Sequence, residues 1–221
     1  MRPSMLMCVS SIAAVMVFLS SLCLAADTEQ AIDTIVAGVE ARYNVTGFVA
    51  DFDQESILKA MAVTDVASGT VMVRQPDKMR WEYLAPDPQT IITDGKALWV
   101  YRPLENQVLV GKAPALFGDG KGAGFISDIK TVRQRFHISL GMSDDPELYH
   151  LRMVPNKSSA DLMTVDLDVS KATFDLIRII TTNVYGDETR IILKNLRFEA
   201  KPESMFRFEV PEGADILQMN P

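Results

Sequence analysis

The strongest constraint on the fold is the stretch from Gly69 to Val110, in which short apolar runs alternate with turn residues. β-branched, aromatic and methionine residues fill the runs, and Pro, Asp-Gly or Asn closes each of them. Strands of an antiparallel meander have this pattern. Both tryptophans of the chain lie in this stretch. The sequence therefore predicts a sheet here, which the rest of the chain completes or covers.

Two neighbouring strands of this stretch each have one apolar face. In the second strand, large apolar side chains alternate strictly with charged ones, which is typical of a half-buried strand. These apolar faces consist of Val71, Val73, Met79, Trp81 and Tyr83. A sheet that curls with such residues inward could enclose an apolar ligand. An inert β-sandwich fits the same pattern, so the residues alone leave both possibilities open.

Strands are also predicted on either side of this stretch. One covers residues 48–58 and is followed by a connection over residues 59–68. The C-terminal third contains five candidates, namely Glu147–Pro155, Leu162–Val169, Leu176–Thr182, Thr189–Leu196 and Met205–Phe208. Short turns separate them, which favours a continuing antiparallel meander. No repeat or linker divides residues 27–221, so we expect a single domain.

Two segments have the apolar spacing of an amphipathic helix. The first covers residues 28–43, and its apolar stripe includes Ile32, Ile35, Val36 and Val39. The second covers residues 125–135, includes Phe125 and Ile129, and follows a loop with four glycines at 118–124. That loop lacks the spacing of a phosphate-binding loop. A short apolar helix behind a glycine-rich hinge is instead the composition of a movable lid.

Residues 1–26 have the features of a secretory signal peptide. Arg2 supplies the positive start, an apolar run follows, and the small residues Ala25 and Ala26 precede an acidic residue. We expect cleavage after Ala25 or Ala26 and export of the mature chain. An uncleaved membrane anchor is the alternative reading of the apolar run. Lipid attachment at Cys23 is another, which the bulky residue before it disfavours.

The remaining composition excludes several classes of function. The net charge of −7 repels phosphate backbones, so nucleic acid is not an expected partner. Both cysteines lie in the predicted signal peptide, which leaves no disulfide or cysteine nucleophile in the mature chain. The two histidines show no metal-ligand spacing and no nucleophile motif accompanies them. We expect no enzyme, no metal site and no cofactor.

Several motifs together resemble the LolA-type outer-membrane lipoprotein carriers. These motifs are Phe-Val-Ala-Asp-Phe-Asp-Gln from Phe48, Met-Arg-Trp-Glu-Tyr from Met79, Thr-Asp-Gly-Lys-Ala-Leu-Trp-Val-Tyr from Thr93, and Phe-Arg-Phe-Glu-Val-Pro-Glu-Gly from Phe206. Their order and spacing carry the resemblance, which is strongest between Ile32 and Val110 and diffuse afterwards.

The resemblance implies a mainly β (α+β) fold, an unclosed antiparallel β-barrel or strongly curved sheet covered by a helical lid. It implies a periplasmic chaperone that takes acylated lipoproteins from an inner-membrane ABC transporter to an outer-membrane acceptor, and we expect a monomer. The expected wall of the acyl-chain cavity is Val71, Val73, Met79, Trp81 and Tyr83. The expected lid residues are Ile32, Ile35, Val36, Val39, Phe125 and Ile129. A lipid-sensing regulatory module and a carrier of another envelope lipid are the alternatives on the same fold.

One residue departs from the pattern of the resembled family. The family has an arginine directly before the proline that ends the strand corresponding to the one with Val71 and Val73. There the arginine hydrogen-bonds the lid and keeps it shut. Here Gln75 precedes Pro76, and Arg74 lies on the opposite face of the strand. The Gln75 amide can donate hydrogen bonds, but without charge assistance. We therefore expect Gln75 to be a weaker lid latch, and Gln75→Arg to slow the release of lipoprotein.

Overall fold

The computed structural model describes residues 28–113 and 132–219. Two helical segments cover part of the sheet, namely α1 over residues 28–42 and α2 over Val132–Arg135. The strands are β1 (Gly47–Leu58), β2 (Val63–Arg74), β3 (Lys78–Ala85), β4 (Gln89–Thr93), β5 (Ala97–Arg102), β6 (Gln107–Lys112), β7 (Phe136–Gly141), β8 (Leu148–Pro155), β9 (Thr164–Ser170), β10 (Leu176–Thr182), β11 (Glu188–Arg197) and β12 (Asp215–Gln218).

All twelve strands belong to one sheet with the order β12-β6-β5-β4-β3-β2-β1-β11-β10-β9-β8-β7. Strands β1–β6 and β7–β11 form two antiparallel meanders, which the antiparallel pair of β1 and β11 joins. β12 adds to β6 in parallel. Strands β7 and β12 therefore form the two edges, and the sheet does not close on itself. This confirms the predicted unclosed, mainly β architecture.

The main core lies between α1 and one face of the sheet, which we call the inner face. Phe48, Ala50 and Phe52 alternate along β1 and point to this side, since all three belong to the same buried cluster as the apolar stripe of α1. Residues from β1–β3 and from β8–β11 pack into the same cluster as the buried stripe of α1. A sheet whose two halves pack into one buried cluster must curve around that cluster. The inner face is thus the concave side of the sheet.

A smaller cluster covers part of the opposite, outer face. Val49 of β1 and Met72 of β2 point outward and pack against Phe206. Phe206 lies in a 3-10 turn over Glu203–Phe206, so the predicted strand Met205–Phe208 is wrong. The apolar spacing there reflects a segment that lies on the sheet rather than in it.

The boundary of the β1–β2 hairpin also differs from the prediction. The predicted connection over 59–68 consists of a 3-10 turn at Lys59–Met61 and the first half of β2. The side chains of residues 63–66 are all exposed, so this half of the strand lacks the alternation of a half-buried strand. β2 pairs with β1 along its whole length, whereas β3 joins it only from Ser68 onward.

The remaining predicted elements agree with the structure to different degrees. The predicted helix over 28–43 is confirmed as α1. Of the predicted helix over 125–135, only α2 falls within the described residues, and Phe125 and Ile129 lie outside them. Strands β7 and β12 were not predicted. None of the helices within residues 28–113 and 132–219 has the length and apolar character that crossing a membrane requires.

Candidate functional site

The predicted lid residues of α1 face the concave side of the sheet. Ile35, Val36 and Val39 are buried in the main core, and Ile32 is partly buried against it. Helical spacing of apolar residues predicts this face because positions three and four apart lie on one side of a helix. α1 therefore covers the inner face with an apolar surface.

The predicted wall residues line the inner face of β2 and β3. Val71, Val73, Met79 and Trp81 are buried, and Tyr83 packs against them. β2 and β3 pair so that Val71 lies opposite Trp81 and Val73 opposite Met79. The sequence thus grouped five residues that the structure brings together. Their contact with an acyl chain remains a prediction.

An aromatic cluster dominates this part of the inner face. The ring of Phe52 lies 4.8 Å from that of Trp81 and 5.0 Å from that of Tyr83, edge-on in both cases. The Tyr83 hydroxyl donates a hydrogen bond of 3.0 Å to the side-chain oxygen of Gln54. Burial raises the pKa of Tyr83 to about 12. This polar atom is therefore satisfied while the rest of the ring stays in an apolar setting.

A cavity lies under α1 in the other half of the sheet. Its lining is entirely apolar and comes from α1, α2 and strands β8–β10: Val36, Val39, Val132, Leu151, Met153, Leu167 and Leu176. Its volume is about 20 Å³, which is room for about one water molecule. The strand residues of this lining were not predicted from the sequence, although Leu151 and Met153 alternate with more polar or exposed neighbours along β8.

The C-terminal end of α1 is anchored to the β9–β10 turn. Arg42 Nε donates to Asp175 Oδ1 at 2.6 Å, and its guanidinium carbon lies 4.2 Å from the centroid of the Phe198 ring. The hydrogen bond to Asp175 raises the pKa of Arg42. The Tyr43 hydroxyl accepts a hydrogen bond of 3.0 Å from the backbone N–H of Leu176, and burial raises the pKa of this phenol. These contacts fix one end of α1.

The predicted latch residue Gln75 lies just after β2 and is half-buried. Its backbone N–H donates to the carbonyl oxygen of Thr46 at 2.8 Å, which ties the end of β2 to the segment between α1 and β1. The latch role of the Gln75 side chain stays a prediction.

A larger groove, of about 600 Å³, lies mainly on the outer face of the sheet, and we call it the outer groove. Its charged side chains are ion-paired, as in Asp53–Lys194 and Glu55–Arg190. Its lining residues are Asp53, Glu55, Val66, Ala67, Ser68, Ala85, Pro86, Arg178, Arg190 and Ile192. Because charged groups resist losing water, this groove suits an acyl chain less well than the inner face.

One histidine takes part in a charged network on the outer face. His150 Nδ1 lies 2.8 Å from Asp168 and its Nε2 lies 3.3 Å from Asp166. Arg152 and Arg178 hydrogen-bond the same two carboxylates. Within the described parts of the chain, no three His, Cys, Asp or Glu side chains are grouped so that they could hold a metal ion.

Comparison with known proteins identifies the family. Residues 43–209 match the family described as outer membrane lipoprotein carrier protein LolA. The chain is 30% identical over 198 residues to the outer-membrane lipoprotein carrier protein of Bordetella pertussis, with 88% of each chain covered. It is 28% identical over 171 residues to that of Halorhodospira halophila, covering 77% of this chain and 78% of the relative. The chain belongs to the LolA family.

A solved structure supports the fold independently of close sequence similarity. An uncharacterized conserved protein from Thermus thermophilus superposes with a TM-score of 0.57 at 16% identity. The match covers 86% of this chain and 99% of that protein. At this identity the similarity concerns the fold alone.

Proposed function

We propose that this protein carries lipoproteins across the periplasm with their acyl chains held against the inner face of the sheet. The observation that carries the proposal is an entirely apolar lining beneath α1 in a chain that belongs to the LolA family. The cargo would come from an inner-membrane ABC transporter and go to an outer-membrane acceptor. The chain would be exported by a signal peptide over residues 1–26 and act as a monomer with a single domain over 27–221.

The energetics of such a carrier require a large apolar surface. An acyl chain that leaves the membrane must recover about 0.8 kcal/mol for each methylene group, or it will not leave. The transfer itself breaks no covalent bond, so it needs no catalytic group and no cofactor. The inner face offers the apolar surface, and burial of the chain there would replace its burial among lipids.

The cavity of about 20 Å³ is too small to hold an acyl chain, so α1 and the sheet must separate for binding. We assign the wall to Val71, Val73, Met79, Trp81 and Tyr83. We assign the lid to Ile32, Ile35, Val36 and Val39, with Phe125 and Ile129 as further lid candidates outside the described residues. Weak latching by Gln75 would favour this opening.

The proposal is tested by what the protein extracts from a membrane. The purified, delipidated protein is incubated with spheroplasts, recovered and analysed by mass spectrometry. An acylated protein in the recovered complex supports the proposal. A free lipid instead indicates a carrier of another envelope lipid, and recovery without any cargo contradicts a carrier role and favours a regulatory module.

The two tryptophans provide a matched pair of variants for this test. Trp81 is on the inner face, whereas Trp99 lies on the outer face and contacts Phe208. We expect Trp81→Ser to lose cargo and Trp99→Ser to keep it, with the melting temperature of each variant measured alongside. A lower melting temperature in Trp81→Ser with its cargo retained would show that Trp81 is a core residue only.

A further inference from the structure

The side chain of Arg133 joins the two helical segments that cover the cavity. Arg133 of α2 donates from Nε to Glu40 Oε1 at 3.2 Å and also pairs with the carboxylate of Asp33. The Nη2 atom of Arg133 donates to the main-chain oxygen of Asp33 at 2.9 Å. Asp33 and Glu40 lie about two helical turns apart on α1. We call this group of Arg133, Asp33 and Glu40 the clasp.

The clasp holds the N-terminal end of α2, whereas other contacts hold its C-terminal end. There, Asn156 donates from its side chain to the carbonyl oxygen of Gln134 at 2.9 Å and from its backbone N–H to that of Arg135 at 2.8 Å. β7 begins directly after Arg135. The C-terminal end of α2 is thus fixed to the sheet. Toward its N-terminal end, α2 is held to α1 by the ion pairs of Arg133.

The residue next to the clasp faces the cavity. Val132 is buried and lines the cavity together with Val36 and Val39 of α1. The opposite wall is formed by β8–β10, with Leu151 only 2% exposed. Movement of α2 away from α1 would withdraw Val132 from the lining and open the cavity on that side.

We propose that the clasp controls access to the apolar interior between α1 and strands β8–β10. The identity of the ligand that enters there rests on the proposed function, whereas the control of access by the clasp does not. The Arg133 side chain is 35% exposed and that of Asp33 is 64% exposed, so water and salt screen their attraction. Exposed ion pairs of this kind contribute little, and the clasp therefore opens easily.

The first test needs no ligand. Leu151→Cys places a thiol in the closed cavity, and Cys8 and Cys23 are replaced by serine so that no other thiol reacts. The rate of labelling by a maleimide is compared with and without Arg133→Gln. Arg102→Gln is the matched control, because Arg102 also forms a partly exposed ion pair, at 3.4 Å to Glu105. Arg102 ends β5, which several strands separate from β8–β10 in the sheet.

We expect Arg133→Gln to raise the labelling rate roughly three- to tenfold, as the loss of one or two exposed ion pairs predicts. Arg102→Gln leaves the rate unchanged. Added salt should raise the rate of the parent protein and have little effect on Arg133→Gln. Equal rates in the parent and in Arg133→Gln would overturn the proposal.

A charge exchange separates the ion pair from a general structural effect. Arg133→Glu combined with Glu40→Arg restores opposite charges, so it should label more slowly than Arg133→Glu alone. The melting temperatures of all variants are measured to detect general destabilisation. If the exchange gives no rescue while the melting temperatures stay equal, attraction between these side chains does not control access.

A second readout separates the clasp from the proposed function. Binding of a fluorescent triacylated lipopeptide is followed by stopped flow, and Arg133→Gln should bind and release it faster by a similar factor. If the labelling rate responds but the parent protein does not bind the lipopeptide, the clasp stands and the carrier function fails. If the lipopeptide binds but neither rate responds to Arg133→Gln, the clasp fails and the carrier function stands.

Discussion

Gly38 of α1 lies directly against the ring of Phe174 in the β9–β10 turn. A Cβ atom at position 38 would lie less than 3.0 Å from Cδ1, Cε1 and Cγ of that ring. Phe174 is itself constrained, because its backbone has a φ of 59°, which is uncommon for a bulky residue. The helix is therefore packed onto the turn at a distance that glycine alone permits without rearrangement.

This contact predicts that Gly38→Ala destabilises the protein, although alanine favours a helix. The gain in helix propensity is about 1 kcal/mol, whereas overpacking against a constrained ring costs about 1–3 kcal/mol. We expect a lower urea midpoint with an unchanged slope. In a Phe174→Ala background the same substitution should become neutral or stabilising. Stabilisation by Gly38→Ala in both backgrounds would contradict the close contact.

A second prediction concerns Asp168, which is only 3% exposed on the outer face. It accepts a hydrogen bond of 2.6 Å from Arg178 Nε and lies 2.8 Å from His150 Nδ1. Asp168→Ala should lower the free energy of unfolding by about 2 kcal/mol, because Arg178 loses its carboxylate partner and His150 keeps only its longer contact with Asp166. Asp53→Ala is the matched control, since its ion pair with Lys194 is exposed and is worth at most about 1 kcal/mol. Equal losses of unfolding free energy in the two variants would show that burial of the network adds nothing to stability.

Tyr83 predicts how stability changes at alkaline pH. Burial raises its pKa from 10.0 to about 12, so the unfolded chain loses the phenol proton first. The contribution of Tyr83 is complete below pH 10 and is lost as the pH rises toward 12, by up to roughly 2–3 kcal/mol. In urea titrations between about pH 9 and pH 12, Tyr83→Phe should therefore lose less stability than the parent protein does.

The control for the alkaline titration is Tyr185→Phe, because Tyr185 is 73% exposed. This variant should retain the parental dependence on pH. Some alkaline destabilisation should persist in Tyr83→Phe, since burial also raises the pKa of Tyr43. If Tyr83→Phe and Tyr185→Phe give the same curve as the parent, the Tyr83 phenol does not couple to folding.

Local periodicity was enough to predict which residues of β3 lie on the inner face. Met79, Trp81 and Tyr83 alternate with charged residues, and a period of two places them on one side of a strand. The stripe of α1 follows from helical spacing in the same way. In both cases the signal lies within about ten residues, so no knowledge of the tertiary structure is required.

Features that depend on distant contacts were not predictable in this way. β12 exists because it pairs with β6, and its four residues are all exposed, so no alternation marks it. Phe206 is buried by the outer face of β1 and β2 although it belongs to no strand. Arg133 and Asp33 are 100 residues apart, and nothing in either local sequence indicates that they meet.

The carrier proposal is tested most directly by locating the acyl chain on the protein. A triacylated lipopeptide with a diazirine near the end of one acyl chain is bound, irradiated and mapped by mass spectrometry of the cross-linked peptides. The proposal predicts cross-links to inner-face residues such as Val36, Trp81 and Leu151, and their loss when unlabelled lipopeptide competes. Cross-links confined to the outer groove, at Val66 or Ile192, or none that compete, would contradict it.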